Sequence, residues 1–370
     1  MLYWLDSIGA FGVSLFGYLT FRMFIAVLVA FAISMAICLL LVKRARKKNL
    51  FEDQSEHEDP EHIKKLVAEG KIPKPEAKDT KVATMGGVGI VGGIMAAVVI
   101  AADLSNPYVL GSILLMIGMG SIGFFDDYRK MRTKKGISSI LKLSLGFIAA
   151  SGVLAFLYSA IGPTKELTTV WLPFNKDLFF HLGMFYAIFF TVMICGFSNA
   201  VNVTDGIDGL AGGLVFIGMI AMSVIAYIVA RKDFTEYLYI THVPGAGEMS
   251  VVLCGVAGAV LGFLWFNAKP ASIYMGDTGS LALGGLFGYA GLVTKQESLV
   301  IIIGAIFVIE LLSVAIQIAV FHIGKARYFP IAPIHIVFER NGWDRNHIVT
   351  RAYILGIFLA FAALGSLKMR

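Results

Sequence analysis

The adjacent aspartates in GFFDDYRK are the first residues whose types and spacing could do chemistry. Asp126 and Asp127 end a long apolar run and are followed by Arg129 and Lys130. Because adjacent residues on a helix point about 100° apart, both carboxylates cannot aim at one point while the helix continues. One can face a site while the other faces a neighbouring loop or base. The alternative is a polar helix end whose charge the following basic residues neutralise.

A second segment, SNAVNVTDGIDGL, carries a polar side chain at every third position: Asn199, Asn202, Asp205 and Asp208. If the segment stays helical, this spacing forms a spiralling polar ridge. The glycines within it allow close approach of a ligand or a neighbouring backbone. Amides and carboxylates offer the paired donors and acceptors that a sugar or a nucleobase needs. The segment therefore favours a binding surface over an ordinary polar turn.

A third segment, FNAKPASIYMGDTGSLALGG, contains Asn267, Tyr274 and Asp277. Asp277 lies among small residues just before a hydrophobic span. A carboxylate in such a place suits Mg²⁺, which usually takes one or two protein carboxylates together with phosphate oxygens. The alternative is an Asp or Ser that caps the helix that follows.

A fourth segment, ARYFPIAPIHIVFERNGW, contains Arg327, His335 and Glu339. A basic loop with a histidine could hold a diphosphate, and the alternative is a positively charged loop at a membrane surface. By contrast, GVGIVG at 87–92 matches a dinucleotide-binding pattern without a preceding strand. Gly89 within it and Gly93 just after it form G-x-x-x-G, which predicts close helix packing instead.

The composition indicates which elements must position these residues. The 370-residue chain is 57% hydrophobic and 15% charged, whereas an ordinary soluble domain is about 45–50% apolar and about 25% charged. This excludes a cytosolic globular enzyme, a disordered chain and a secreted disulfide scaffold, and it predicts an all-α polytopic membrane protein. At about 20 apolar residues per crossing, about ten transmembrane helices are expected, at 19–42, 84–104, 108–126, 138–161, 180–198, 209–230, 249–267, 279–294, 298–322 and 349–367.

The basic residues predict the orientation of these spans. Of the 31 Lys and Arg, 23 lie in the segments that share one side of the membrane: 43–83, 127–142, 199–208, 268–278 and 323–351. By the positive-inside rule this side is cytoplasmic, and both termini are on the periplasmic or outer side. The rule also accounts for the net charge of +6 without a nucleic-acid partner. All four polar segments fall at the cytoplasmic face.

The chain is expected to form one integral-membrane domain, 1–370. Within it, 50–80 is a charged cytoplasmic loop and 231–248 an external loop. Carboxylates, lysines and a histidine at one face suit phosphoryl transfer, which needs a metal and cations around the phosphates and an oxygen nucleophile held in line. A lipid phosphate could supply that oxygen. The residues thus favour a transferase that joins a soluble diphosphate donor to a lipid phosphate.

The motifs also resemble a known family. TMGG (84–87), GFFDDY (123–128), SNAVNVTDGIDGLAGG (198–213), YLYITHVPGAGE (237–248) and FLWFNAKPASIYMGDTGSLALGG (263–285) resemble the phospho-N-acetylmuramoyl-pentapeptide transferases. These bacterial plasma-membrane enzymes make lipid I for peptidoglycan. The aspartate-rich blocks alone would indicate only the wider superfamily of polyprenyl-phosphate N-acetylhexosamine-1-phosphate transferases.

The resemblance implies a reaction and a set of roles. Phospho-MurNAc-pentapeptide moves from UDP-MurNAc-pentapeptide to undecaprenyl phosphate and UMP is released, in a Mg²⁺-dependent homodimer. Asp277 would hold Mg²⁺, Asp126 and Asp127 would lie near the lipid phosphate, and His335 would be catalytic. Asp126 is the candidate for deprotonating or positioning that phosphate. The implied substrate-binding residues are Thr84, Lys130, Lys134, Lys142, Asn199, Asn202, Asp205, Asp208, Asn267 and Tyr274, with Tyr274 placed to stack on uracil.

The chain departs from the family pattern at the stretch Ala332, Pro333, Ile334, His335, where the family has three consecutive histidines and this chain keeps one. Two other functions stay open. One is transfer of N-acetylglucosamine-1-phosphate to a polyprenyl phosphate. The other is secondary transport, although transporters place such carboxylates near the membrane midplane. Direct attack by the lipid phosphate is favoured over a phospho-aspartyl enzyme.

Overall fold

A computed structural model describes residues 14–48, 82–162, 164, 167–171, 179–324 and 331–369. The predicted loop 50–80 and Arg327 lie outside these residues. In the part described, the secondary structure is helical apart from one two-stranded antiparallel hairpin, in which β1 (Thr169–Trp171) pairs with β2 (Phe179–His181), and an isolated bridge. The helices are α1 (Leu19–Lys48), α2 (Gly86–Ala101), α3 (Pro107–Thr133), α4 (Ser139–Ile161), α5 (Tyr186–Thr204), α6 (Leu210–Val229), α7 (Lys232–Leu238), α8 (Gly247–Asn267), α9 (Gly276–Val293), α10 (Glu297–Ile303), α11 (Ala305–Gly324), α12 (Ile334–Arg340) and α13 (Arg345–Ser366), with short 3₁₀ turns at Ser14–Gly17, Gly183–Phe185 and Leu367–Met369.

The all-α membrane architecture is confirmed. Among the helices described, eight are long and apolar enough to cross a membrane: α1, α3, α4, α5, α6, α8, α11 and α13. Every predicted span corresponds to a helix, but 84–104 became α2, which has only 16 residues. The span 279–294 became α9, whose polar first turn and many glycines lower its apolar character. The span 298–322 is divided at Gly304 into α10 and α11.

Local sequence accounts for where several helices begin. Asn106 precedes Pro107 and its side chain accepts hydrogen bonds from the first backbone N–H groups of α3. The side chain of Ser138 does the same for α4, and that of Asp344 for α13. Such caps satisfy N–H groups that have no partner within the helix.

The central helix of the bundle is α9, which is buried at every residue after Gly276 and packs mainly against α3 and α5. At Gly123 of α3 a Cβ would overlap the backbone of Asp277, and at Gly284 of α9 it would overlap the backbone of Phe197. Glycine at these two positions lets the helix axes approach closely. As a result, the cytoplasmic ends assigned to α3 and α9 in the sequence lie side by side.

The packing prediction for GVGIVG is confirmed. A Cβ at Gly89 would lie 2.6 Å from the Cys38 sulfur, and one at Gly93 would lie 2.7 Å from the Ala30 carbonyl oxygen, both on α1. The motif therefore holds α2 against α1. The predicted loop 231–248 contains α7 and a turn, and it joins the ends of α6 and α8 that are farthest from Asp277.

Candidate active site

Asp126 lies near the end of α3 and is fully buried. Its Oδ1 accepts a hydrogen bond of 2.6 Å from the backbone N–H of Ile137. Its Oδ2 lies 2.8 Å from Nζ of Lys130, one helical turn further along α3. The same oxygen lies 2.9 Å from Nζ of Lys142 on α4. One carboxylate is thus held between two lysines that come from different helices.

Asp277 lies in the first turn of α9 and shares both lysines with Asp126. Its Oδ2 is 3.2 Å from Nζ of Lys130 and also pairs with Lys142. Its Oδ1 accepts a hydrogen bond of 2.9 Å from Nδ2 of Asn202, whose amide also donates to the hydroxyl of Ser280. The side chain of Asp277 therefore faces the cluster instead of capping its own helix.

Asp127 points in a different direction from its neighbour, as the 100° helical step predicts. It accepts hydrogen bonds of 2.9 Å from the backbone N–H groups of Asp277 and Thr278, and one of 2.6 Å from the Thr278 hydroxyl. It thereby caps α9 from another helix, where the helix dipole also favours a negative charge. Of the two aspartates, Asp127 positions Asp277, and Asp126 is the one that faces the lysines.

The three aspartates could hold a divalent cation. One carboxylate oxygen from each lies within 4.8 Å of the others, and all three residues are buried. Carboxylate oxygens are the hard ligands that Mg²⁺ takes, usually one or two per ion. Asp126 and Asp277 fit this need best, because Asp127 already accepts three hydrogen bonds. With three carboxylates and two lysines in the cluster, one negative charge is in excess, and a cation would offset it.

The polar ridge predicted for 199–208 is interrupted. The helix α5 ends at Thr204, and the chain turns before Gly209, which has a φ of 81°. Of the four polar residues, Asn202 is the one that reaches the aspartates. The amide of Asn199 donates to Cys195 O within its own helix at 2.8 Å, and Asp208 accepts a backbone N–H from Ala271.

Asp205 lies in the turn after α5, near the cluster. Burial and the negative charges of Asp277, Asp127 and Asp208 raise the pKa of Asp205 from its usual 3.8 to about 7. A carboxyl group with this pKa can be neutral or charged near neutral pH, depending on which charges surround it.

Asn267 braces this turn from α8. Its Oδ1 accepts the N–H of Gly209 and its Nδ2 donates to Ile273 O, both at 2.9 Å. The hydroxyl of Tyr353 on α13 also donates to Gly209 O at 2.7 Å. Asn267 is predicted from the sequence to bind substrate, and in this structure its side chain joins two loops. Tyr353 had no local sequence signal.

His335 begins α12 and is 2% exposed. Its described contacts do not reach the aspartates; they reach Glu310 and the turn at Gly206. The backbone N–H of His335 donates to Oε1 of Glu310 at 3.1 Å, and Nδ1 lies 3.2 Å from Oε2. Sequence reasoning missed Glu310, although an ionisable residue within the apolar run IFVIELL is a signal that could have identified it.

The remaining predicted residues lie around the cluster. Thr84 and Tyr274 are half-buried and adjoin an isolated parallel bridge between Ala83 and Ile273. Lys134 ends α3 in the left-handed conformation and is exposed. Glu339 pairs with Arg345 beside it in the fold. The structure therefore places the other predicted site residues around a central group. That group consists of Asp126, Asp127, Asp277, Lys130, Lys142 and Asn202.

A small, shallow cleft lies beside the cluster between α3, α4, α5 and α9. Its walls include Met119, Ile122, Leu143 and Leu281, and its polar members are Lys142, Ser198 and Asn199. The cleft thus combines an apolar wall with the lysine that contacts both Asp126 and Asp277.

Comparison with known proteins gives one family. The model described as glycosyl transferase family 4 matches residues 109–295, which is half of the chain. The match runs from α3 to just beyond α9. It contains every residue that the structure brings to the aspartate cluster, whereas Thr84 and His335 lie outside it.

Proposed function

Since the chain belongs to glycosyl transferase family 4, which transfers a phospho-sugar to a polyprenyl phosphate, we propose that its donor is UDP-MurNAc-pentapeptide and its acceptor undecaprenyl phosphate. The products are lipid I and UMP, and the enzyme works in the bacterial plasma membrane. The observation that carries this proposal is the Asp126–Lys142–Asp277 arrangement at the end of an apolar cleft. The motif resemblance selects the muramoyl donor.

In the proposed reaction, an oxygen of the lipid phosphate attacks the phosphorus that carries the sugar. A new P–O bond forms to the lipid, and the bond from this phosphorus to the UMP oxygen breaks. Asp126 positions the lipid phosphate, or accepts its proton where it arrives protonated. Because the lipid phosphate is itself an oxygen nucleophile, no phospho-aspartyl intermediate is required.

The two lysines have a direct electrostatic role. Lys130 and Lys142 each contact both Asp126 and Asp277, so they stand where two phosphate groups would meet. On substrate binding they exchange carboxylate partners for phosphate oxygens. Cations fixed beforehand stabilise the charge that develops in phosphoryl transfer. Lys142 also lines the cleft, so it serves the lipid phosphate.

Asp277, together with Asp126, would hold Mg²⁺, which supplies neutralisation of the diphosphate charge. Asn202 orients Asp277 through its amide. Asp127 fixes the first turn of α9 and with it the position of Asp277. The cluster is thus set up by neighbours before any substrate binds.

The uridine diphosphate part of the donor is assigned to the surface around the turn after α5. We assign Asn199, Asn202, Asp205 and Asp208 to its nucleotide and sugar, Tyr274 to stacking on uracil, and Thr84 and Lys134 to the surrounding contacts. His335 approaches the same turn from α12. Asn267 contributes by holding the turn in place.

A purified preparation tests the donor assignment. The protein in detergent, with undecaprenyl phosphate and Mg²⁺, is given UDP-MurNAc-pentapeptide or UDP-GlcNAc, and UMP and the lipid product are measured. We expect lipid I with the first donor and no product with the second, and loss of turnover with EDTA. Product from UDP-GlcNAc alone would assign the chain to another cell-envelope polymer. Absence of UMP release with both donors would favour the transporter function, against which family membership argues.

Oligomeric state and topology belong to the same proposal. We expect a homodimer with both termini on the outer side and the aspartate cluster on the cytoplasmic side. Light scattering of the detergent-solubilised protein measures the first. Labelling of single cysteines introduced at Lys134 and Lys232 in intact cells measures the second, with only position 232 expected to react with an impermeant reagent.

A further inference from the structure

Glu310 is a buried carboxylate outside the aspartate cluster. It lies on α11, is 6% exposed, and has apolar neighbours in sequence on both sides. A charged group in such a place is costly unless other polar groups satisfy it. Its described partners are the backbone N–H and the Nδ1 nitrogen of His335, at 3.1 and 3.2 Å.

The opposite edge of the His335 ring faces the turn after α5. A Cβ added at Gly206 would overlap Nε2 of His335, so the ring nitrogen and the backbone of this turn are in close contact. Gly206 follows Asp205 and lies two residues before Asp208. The imidazole ring is therefore held between a carboxylate on one side and the turn that carries these two aspartates on the other.

A carboxylate that faces one ring nitrogen fixes the orientation of an imidazole and decides which nitrogen is presented elsewhere. Here the buried Nδ1 lies 3.2 Å from Oε2 of Glu310 without an aligned hydrogen bond, and Nε2 is presented to the turn. The neighbours of His335 are Ile334 and Ile336, so no adjacent histidine could take over this contact. Glu310 is thus the acidic group that the structure places against both the backbone N–H and the Nδ1 nitrogen of His335.

We propose that Glu310 is a positioning residue that acts through His335 on the turn that binds the nucleotide donor. This inference rests on the proposed function, because the turn after α5 is there assigned to the donor. It differs from a general structural role in one respect: its loss should affect the donor and spare the lipid acceptor, whose phosphate is held by Lys142 and Asp126.

The test compares steady-state kinetics of Glu310→Gln with the wild type, with each substrate varied in turn. By analogy with the carboxylates behind metal-bound histidines, whose loss costs about 10–100-fold, the donor KM is expected to rise about tenfold while the acceptor KM is unchanged. Glu310→Asp keeps the charge on a side chain that is one methylene group shorter. Its donor KM should lie between those of the wild type and of Glu310→Gln. It also serves as the test variant if Glu310→Gln does not fold.

A double-mutant cycle separates action through His335 from an independent effect. His335→Ala combined with Glu310→Gln should be no worse than His335→Ala alone, because coupled residues are not additive. Glu297→Gln is the matched control, since Glu297 is equally buried and pairs with Lys295 at 3.0 Å at the other end of the bundle. It should leave both KM values unchanged.

Two results would overturn the inference while the proposed function stands: a wild-type donor KM in Glu310→Gln, or losses that add in the double variant. A wild type that turns over neither donor would instead refute the proposed function.

Discussion

The two ends of the helix bundle each contain a buried group of charges, and they are built differently. At the end farthest from Asp277, the guanidinium of Arg22 on α1 forms two hydrogen bonds, of 2.8 and 2.6 Å, with Glu248 on α8. The same carboxylate accepts the backbone N–H of Asp103, and Arg22 also donates to Ala101 O. This pair is balanced in charge and its partners are fixed.

At the Asp277 end, Asp126 and Asp277 share two lysines, and a third carboxylate, that of Asp127, accepts hydrogen bonds from the first turn of α9. Lys130 is 41% exposed and Lys142 is 17% exposed, whereas Asp126 is fully buried. Each lysine has two carboxylate partners instead of one, and the carboxylates exceed the lysines in number. Such a group can exchange partners for phosphate oxygens and a cation at small cost. The comparison therefore contrasts a pair with fixed partners with the shared charges of the candidate site.

The largest effect is expected from Asp277→Asn. The substitution keeps the shape of the side chain but removes a carboxylate shared by both lysines and required for the proposed Mg²⁺. Turnover, measured as UMP release, should fall below detection. The midpoint of thermal unfolding in detergent should stay near that of the wild type, because the cluster contains more carboxylates than lysines. An active Asp277→Asn enzyme would contradict the assignment of the metal ligand.

The next effect concerns Lys142→Met, which removes the cation that lies between Asp126, Asp277 and the cleft. Loss of one preorganised group that stabilises developing charge typically costs about 10²–10³-fold in rate, and we expect a fall in kcat/KM of that order for the lipid acceptor. Lys232→Met, an exposed lysine on α7, is the matched control. Equal activity in the two variants would show that the shared lysine has no special role.

Glu248→Gln tests the other side of the comparison. It leaves Arg22 buried without its carboxylate, and breaking a buried ion pair on one side typically costs about 3–5 kcal/mol. The thermal midpoint should therefore fall, while turnover per folded molecule at low temperature should match the wild type. A variant that keeps its stability but loses activity would reverse the roles given to the two ends.

The same contrast shows what the sequence could predict. Each apolar segment that was predicted to cross the membrane, at about 20 residues per crossing, corresponds to a helix in the structure. Such segments can be predicted because membrane crossing depends on local composition. The aspartates at 126, 127 and 277 stood out because charges at the ends of apolar runs are rare. The helical step predicts that Asp127 points in a different direction from Asp126. Its contact with the backbone N–H groups of Asp277 and Thr278, about 150 residues later in the sequence, could not be predicted.

The features that the sequence could not predict depend on tertiary packing. The ridge at 199–208 assumed a continuous helix, but the chain turns after Thr204, where Asn267 and Tyr353 hold Gly209 from other helices. Asn267 looked like a ligand-binding amide because its type and position fit that role equally well. Glu310 and His335 are 25 residues apart in sequence, and only the fold shows that they are in contact.

The smallest effect is expected at Asp205. Burial and the nearby charges of Asp277 and Asp127 raise the pKa of this residue from 3.8 to about 7. Below about pH 4 the carboxyl group is neutral in both the folded and the unfolded chain, so it does not affect stability. As the pH rises from about 4 to 7, the unfolded chain ionises this group more readily than the folded one, and folded stability decreases. Above pH 7 the loss is complete and constant.

Asp205→Asn removes this penalty, so without divalent cations its thermal midpoint should equal that of the wild type near pH 4 and exceed it at pH 8. Asp233→Asn at the opposite end provides the matched control. Asp233 pairs with Arg231, which lowers its pKa, so its replacement should give no gain at pH 8. If Mg²⁺ binds among the carboxylates, adding it should reduce the advantage of Asp205→Asn, because a cation offsets the same repulsion. A pH-independent difference between Asp205→Asn and the wild type would show that repulsion within the aspartate group does not act on Asp205, and the excess of acid at this end would then have no measurable cost to the fold.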